Sequence, residues 1–119
     1  MRSTTGHTFG GHAVAPWTSP AAGTYTTTAG CFLFLVENPH NDAPTCFECK
    51  NTQCSTLWHA TYGPTFGNGC DLQIHGGGDT GRSYTIFPRC YTDTLGRGHA
   101  TFTGDYDFTP EDYEVWAVT

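Results

Sequence analysis

"YGPTFGNGCDL", residues 62–72, decides how this chain reads. Pro64 fixes φ and has no N–H, and Gly63, Gly67 and Gly69 permit backbone angles that other residues avoid. The chain must therefore break between a strand around Trp58 and a strand around Leu72. Phe66, set between the breaks, is placed to plug a core from the loop. The Cys70-Asp71 pair has the residue types of a catalytic dyad. The glycines, continued by "GGGDTGRS" (76–83), resemble a phosphate-binding loop. The stretch is thus either a site or a turn, and the rest of the chain must say which.

The phosphate reading meets a physical test first. Gly76-x4-Gly81-Arg82-Ser83 is a near miss to the P-loop pattern, with Arg where Lys belongs. Such a loop needs a strand before it and a helix after it, so that the helix N-terminus meets the phosphate. "DLQIH" (71–75) supplies the strand, but "YTIFPRC" (84–90) is β-rich and stopped by Pro88. Elsewhere no apolar stripe recurs at helical spacing, and the chain reads as β throughout. Phe9 to Trp17 forms a short strand. "CFLFLV" (31–36) is a continuous apolar run suited to a strand buried on both faces. "NPHNDAP" (38–44) is a loop. "TCFECK" (45–50) and "CSTLWHA" (54–60) form a hairpin joined by "NTQ". Residues 84–110 are mostly irregular. "DYEVWAV" (112–118) alternates as a last strand that closes a sheet. Many short strands with turn signals between them predict a mainly β antiparallel sandwich with little or no helix.

The 119 residues make one domain, 1–119, with a net charge of −6 and only five Lys plus Arg. Nucleic acid and anionic membrane surfaces are disfavoured, since both need clustered cations. No apolar run approaches the roughly 20 residues of a membrane-spanning helix. The start, "MRSTTGHTFGG", has no apolar leader segment, and Asn38, Asn41, Asn51 and Asn68 lie outside glycosylation sequons. An intracellular, cytoplasmic protein is expected. Charged residues are only 13% of the chain. Either a partner covers part of the surface, or Thr, Ser, Asn and Gly supply its polarity. Six Cys leave a secreted, disulfide-bonded module as a weaker alternative.

Cys46-x2-Cys49-x4-Cys54-x4-His59 has zinc-knuckle spacing with the last Cys and His exchanged, and three thiolates and an imidazole suit tetrahedral zinc. Against this, Cys46 and Cys49 stand an odd number apart in a strand and face opposite sides of it. The same cysteines support a redox reading, with Lys50 or His59 nearby to favour a thiolate. The acidic run "GDYDFTPEDYE" (104–114) offers oxygen ligands without EF-hand spacing and reads as a solvated turn. His7, His12, His40, His75 and His99 read as surface residues. No nucleophile or metalloprotease signature is present.

Taken together, "HTFGGHAVAPW" (7–17), "CFLFLVENP" (31–39), "YGPTFGNGCDLQI" (62–74), "GRSYTIFPRCYTDTLGRG" (81–98) and "FTGDYDFTPEDYEVWAV" (102–118) resemble the TLDc domain, in the form common in protists. The motif residues are Gly63, Pro64, Phe66, Gly67, Gly69, Asp71, Glu114 and Trp116. The resemblance implies a β-sandwich with few helices, no accepted active site and no cofactor. It also implies links to oxidative-stress resistance and to the vacuolar proton pump. Relatives usually carry more chain before the "FGG" block. A sheet edge completed by another chain is therefore expected, as in a subunit of a larger complex. "GNGCD" stands where this branch usually has "GGGHD", so nothing assigned to that His transfers to Cys70. Two functions follow as expectations: a non-catalytic protein-interaction domain, or a Cys-based redox or zinc module built on Cys46, Cys49, Cys54 and His59.

Overall fold

The structure is a computed structural model that describes residues 1–14, 24–25, 30–50, 56–58, 63–67, 71–75 and 83–114, with backbone alone at 24–25 and 57–58. Cys54, His59, Gly69, Cys70 and Trp116, and the loop glycines Gly76 and Gly81 with Arg82, lie outside the described residues.

Short strands dominate: β1 (Arg2–Ser3), β2 (Thr8–His12), β3 (Thr24–Tyr25), β4 (Phe32–Glu37), β5 (Thr45–Glu48), β6 (Thr56–Trp58), β7 (Thr65–Phe66), β8 (Leu72–Gln73), β9 (Ser83–Tyr84), β10 (Asp107–Phe108) and β11 (Pro110–Asp112). They form two antiparallel sheets, one ordered β11-β1-β2-β4-β5 and the other β10-β9-β8-β7-β6-β3. Among the described residues the helical content is one 3-10 turn at Gly98–Ala100. The fold is mainly β, as the turn-punctuated sequence predicts.

Alternation sets the core. In β4 and the residue before it, Cys31, Leu33 and Leu35 are buried, while Phe32 and Phe34 are half-buried and Val36 is exposed. The apolar run expected to be buried on both faces is therefore buried on one. β4 does sit inside its sheet, between β2 and β5, but its second face is the outside of the sandwich. Phe9, Phe47, Phe87 and Phe102 are fully buried and meet edge-on or tilted at centroid distances of 4.9 to 6.0 Å. Edge-to-face contacts at these separations add to the area that the rings bury.

Two further expectations need correction, and a third falls largely outside the described residues. Residues 45–50 and 54–60 do not form a hairpin: β5 pairs with β4 in one sheet, and β6 pairs with β3 and β7 in the other. The strand expected over 112–118 lies outside the described residues from 115 onward; the last described strand is β11, paired with β1, and Tyr113 and Glu114 lie beyond it outside any strand. The acidic run is not a simple turn, because it contains β10 and β11 and carries the chain from one sheet to the other. At that corner, Thr109 accepts a hydrogen bond from the Thr4 amide at 2.9 Å.

Candidate functional site

The opening stretch supplies a short strand and a carboxylate rather than a loose loop. After Pro64 the chain enters β7, which pairs with β6 on one side and β8 on the other. Phe66 is part of this strand, and it is buried as expected. Its ring lies against β2 of the facing sheet: a Cβ on Gly11 would sit 2.5 Å from Phe66 Cζ. Gly11 is the second glycine of the "FGG" block, so two family blocks meet here across the sandwich. Phe9 of the same block packs on Phe102 and Phe108.

Asp71 is fully buried. Its carboxylate accepts hydrogen bonds from the amides of Arg89 at 2.7 Å, Cys90 at 2.9 Å and Tyr91 at 3.1 Å. Successive amides converging on one carboxylate make an anion nest, filled here by the protein's own side chain. Gly67 allows the approach: it holds φ at +84°, and a Cβ there would fall 2.0 Å from Asp71 Oδ1. The Asp71 carbonyl accepts the Thr85 hydroxyl, whose oxygen in turn accepts the Phe87 amide at 3.1 Å. Ile74 N–H donates to the Pro64 carbonyl at 2.9 Å. Burial pushes the Asp71 carboxyl above its ordinary range, against the pull of the three amides and the charge of Lys50. Both oxygens of this group accept backbone donors, so the arrangement ties the segment at Asp71 to residues 89–91. The Cys70-Asp71 pair is thus architecture at its described member. Gly63 and Pro64 are half-buried beside it, and Glu114 is exposed far along the chain from the nest.

A second carboxylate, Asp93, works alike at the surface. It accepts the amides of Leu95, Gly96 and Gly98 at 3.0, 2.8 and 2.9 Å. Nearby, Arg97 grips Asp42 through two hydrogen bonds of 2.6 and 3.0 Å. This pairing holds the Asp42 carboxyl below its ordinary range. His40 Nε2 donates to the Ala100 carbonyl at 2.7 Å. Loop 38–44 is in this way fastened to the 3-10 turn. Neither nest was legible beforehand, because both depend on amides contributed by irregular chain.

The candidate ligands separate. Cys46 is exposed on the outer face of β5, whereas Cys49 packs against the core on the inner side. They cannot share one ion without breaking the strand, which removes the proposed zinc set at its described half. Ser83, the last residue of the near-miss phosphate loop, begins strand β9 rather than a helix. Among the described residues no group of three or more His, Cys, Asp or Glu could hold a metal ion. The histidines are not all surface residues either. His7, His12, His40 and His75 are half-buried, and His75 Nδ1 has no hydrogen-bond partner among the described residues.

What the two sheets present outward differs from the nest. On the five-stranded sheet, His12 stacks on Phe32 at 5.0 Å, and Phe32 lies 6.4 Å from Phe34. Phe34 covers Gly10, where a Cβ would meet its ring at 2.9 Å. Val36, 44% exposed, is the extra residue of a bulge between Leu35 and Glu37. Cys46 and Glu48 stand opposite Phe34 and Phe32 on β5. An aromatic row thus crosses a face that is ordinarily polar in a sandwich.

Among the described residues, no helix is long and apolar enough to cross a membrane. The chain matches no curated protein and no solved structure. The family model of the TLDc domain matches residues 1–119, beyond the stretch from Phe9 onward that the motifs suggest. With the "FGG" glycine seated on the phenylalanine of "GPTFG", and the Asp71 nest behind it, the chain belongs to the TLDc domain family.

Proposed function

We propose that this chain is a non-catalytic protein-interaction domain that works inside the cell as a subunit of a larger complex. The observation that carries the reading is the aromatic row on the outer face of the five-stranded sheet. His12, Phe32, Phe34 and Val36 form it, with Glu37 and Glu48 at its margins and both exposed. The chain as a whole carries a net charge of −6. A protein segment with an apolar stripe flanked by Lys or Arg fits such a face, since apolar burial supplies affinity and complementary charge supplies orientation and rate. The buried carboxylate of the family signature is occupied by backbone amides, which supports a role without catalysis at that position. The family's links to oxidative-stress resistance and to the vacuolar proton pump indicate where such a partner is to be sought.

The test is co-purification of wild-type chain and of Val36→Asp from the native source, with thermal unfolding of both. Loss of one defined partner in the variant, at unchanged Tm, supports the reading. Retention of every partner by the variant contradicts it.

A further inference from the structure

The register of β4 and β5 places two cysteines face to face. The pairs Phe32↔Glu48, Leu33↔Phe47 and Phe34↔Cys46 are antiparallel. Extended by one position, the same register sets Cys31 opposite Cys49, and the Cys49 amide donates to the Cys31 carbonyl at 3.2 Å. Both side chains point inward: Cys31 is 2% exposed in the core, and Cys49 is half-buried against it. Both are thiols.

We propose that Cys31 and Cys49 are an oxidation site that closes to a cross-strand disulfide under peroxide. This goes beyond the interaction reading and does not depend on it. Directly opposed residues on antiparallel strands have Cα atoms about 5.5 Å apart when they share ladder hydrogen bonds. A disulfide accepts Cα separations of about 4.4 to 6.8 Å. Because the pair shares a ladder hydrogen bond, its Cβ atoms fall at the wide end of the usual range, about 5.5 Å, and must close by about 1 Å to enter the disulfide range and by about 1.7 Å to reach its mean. The pair sits where that shift is available. Cys31 precedes β4 and follows Gly30, whose φ is +92°, and Cys49 follows β5. Beyond Cys49 the backbone is anchored by Lys50 N–H to Cys90 O at 2.8 Å and Thr92 N–H to Glu48 O at 2.9 Å. The fully buried Tyr91 pairs with Cys49 across this ladder. β5 therefore cannot swing outward, and the thiols stay opposed.

The chemistry balances as follows. Cys49, the more accessible of the two, attacks one peroxide oxygen as its thiolate, giving a sulfenic acid, and hydroxide leaves with a proton as water. Cys31 Sγ then attacks the sulfenic sulfur, the S–S bond forms, and a second hydroxide leaves as water. Two thiols and one hydrogen peroxide yield one disulfide and two waters. Cys46, on the other face of β5, is excluded from the pair although it is closer to Cys49 in sequence.

The test treats purified wild-type protein with hydrogen peroxide, blocks remaining thiols by alkylation, and digests it with a Glu-specific protease together with trypsin. Cleavage after Glu37, Glu48, Lys50, Arg82 and Arg89 puts Cys31, Cys46, Cys49 and Cys90 on four different peptides. The expected product links the peptide ending at Glu37 to Cys49-Lys50 and is released by dithiothreitol. Oxidised protein is expected to melt about 5 °C higher, because the cross-link constrains the unfolded chain. Cys49→Ser is expected to lose the Tm rise, and Cys46→Ser to keep it. Linkage of Cys31 or Cys49 to any other cysteine, absence of a cross-link, or a Tm rise that survives in Cys49→Ser overturns the proposal.

Discussion

The nest around Asp71 and the aromatic row around Phe34 lie in one small domain and obey opposite rules. In the nest a charged group is fully buried and fully hydrogen-bonded. On the outer sheet face, large apolar side chains are left partly in solvent. The first arrangement is costly to disturb and gives nothing to a ligand. The second contributes little to folding and is suited to being covered. Of the described motif residues, Gly67 and Asp71 build the first. The "GPTFG" segment and its Asp71 therefore serve the fold, and the proposed binding row lies on a different face, in the "FGG" and "CFLFLV" strands.

This contrast can be broken most severely at the nest. Asp71→Ala is expected to destabilise the domain by about 4 kcal/mol, because it strands buried amides without an acceptor. Denaturant unfolding measures it, and a loss below about 1 kcal/mol would show that water replaces the carboxylate. Gly11→Ala comes next. The added methyl would meet the Phe66 ring at 2.5 Å between facing sheets, and overpacking of this kind costs about 1 to 3 kcal/mol. If the variant melts like wild type, the sheets are less tightly apposed than the ring position implies. Val36→Asp is expected to change stability by no more than about 0.5 kcal/mol, as at other exposed positions, while removing partner binding. A large loss of stability would place Val36 with the core rather than with the binding face.

The smallest effect concerns pH. The Arg97 guanidinium holds the Asp42 carboxyl below its ordinary value. The pair thus contributes stability at neutral pH, and that contribution is lost as pH falls below the ordinary Asp value of about 3.9 and through the lowered folded value. Asp42→Asn is expected to flatten this acid limb slightly in thermal melts from pH 5 to pH 2. An unchanged limb would assign it to other carboxylates.

The sequence revealed the class of fold because glycine, proline and alternating apolar residues act locally. The break at Pro64 and the burial of Phe66 are of this kind. Asp71 reads from the sequence as a structural motif residue, but its partners stay hidden there because its donors lie 18 to 20 residues downstream in irregular chain. Strands β5 and β6 looked like a hairpin because two apolar stretches flank a short polar one. Nothing local reveals that they belong to different sheets. The opposition of Cys31 to Cys49 was hidden for the same reason, since strand register is a long-range property.

The most direct test replaces one residue at a time with a photo-crosslinking amino acid, at position 36 on the outer face and at position 89 beside the nest, in the native source. Capture of one protein partner from position 36, with none from position 89, is the predicted result. Capture from position 89 alone, or from neither position, would contradict the claim that the outer sheet face carries the binding and the Asp71 nest serves the fold.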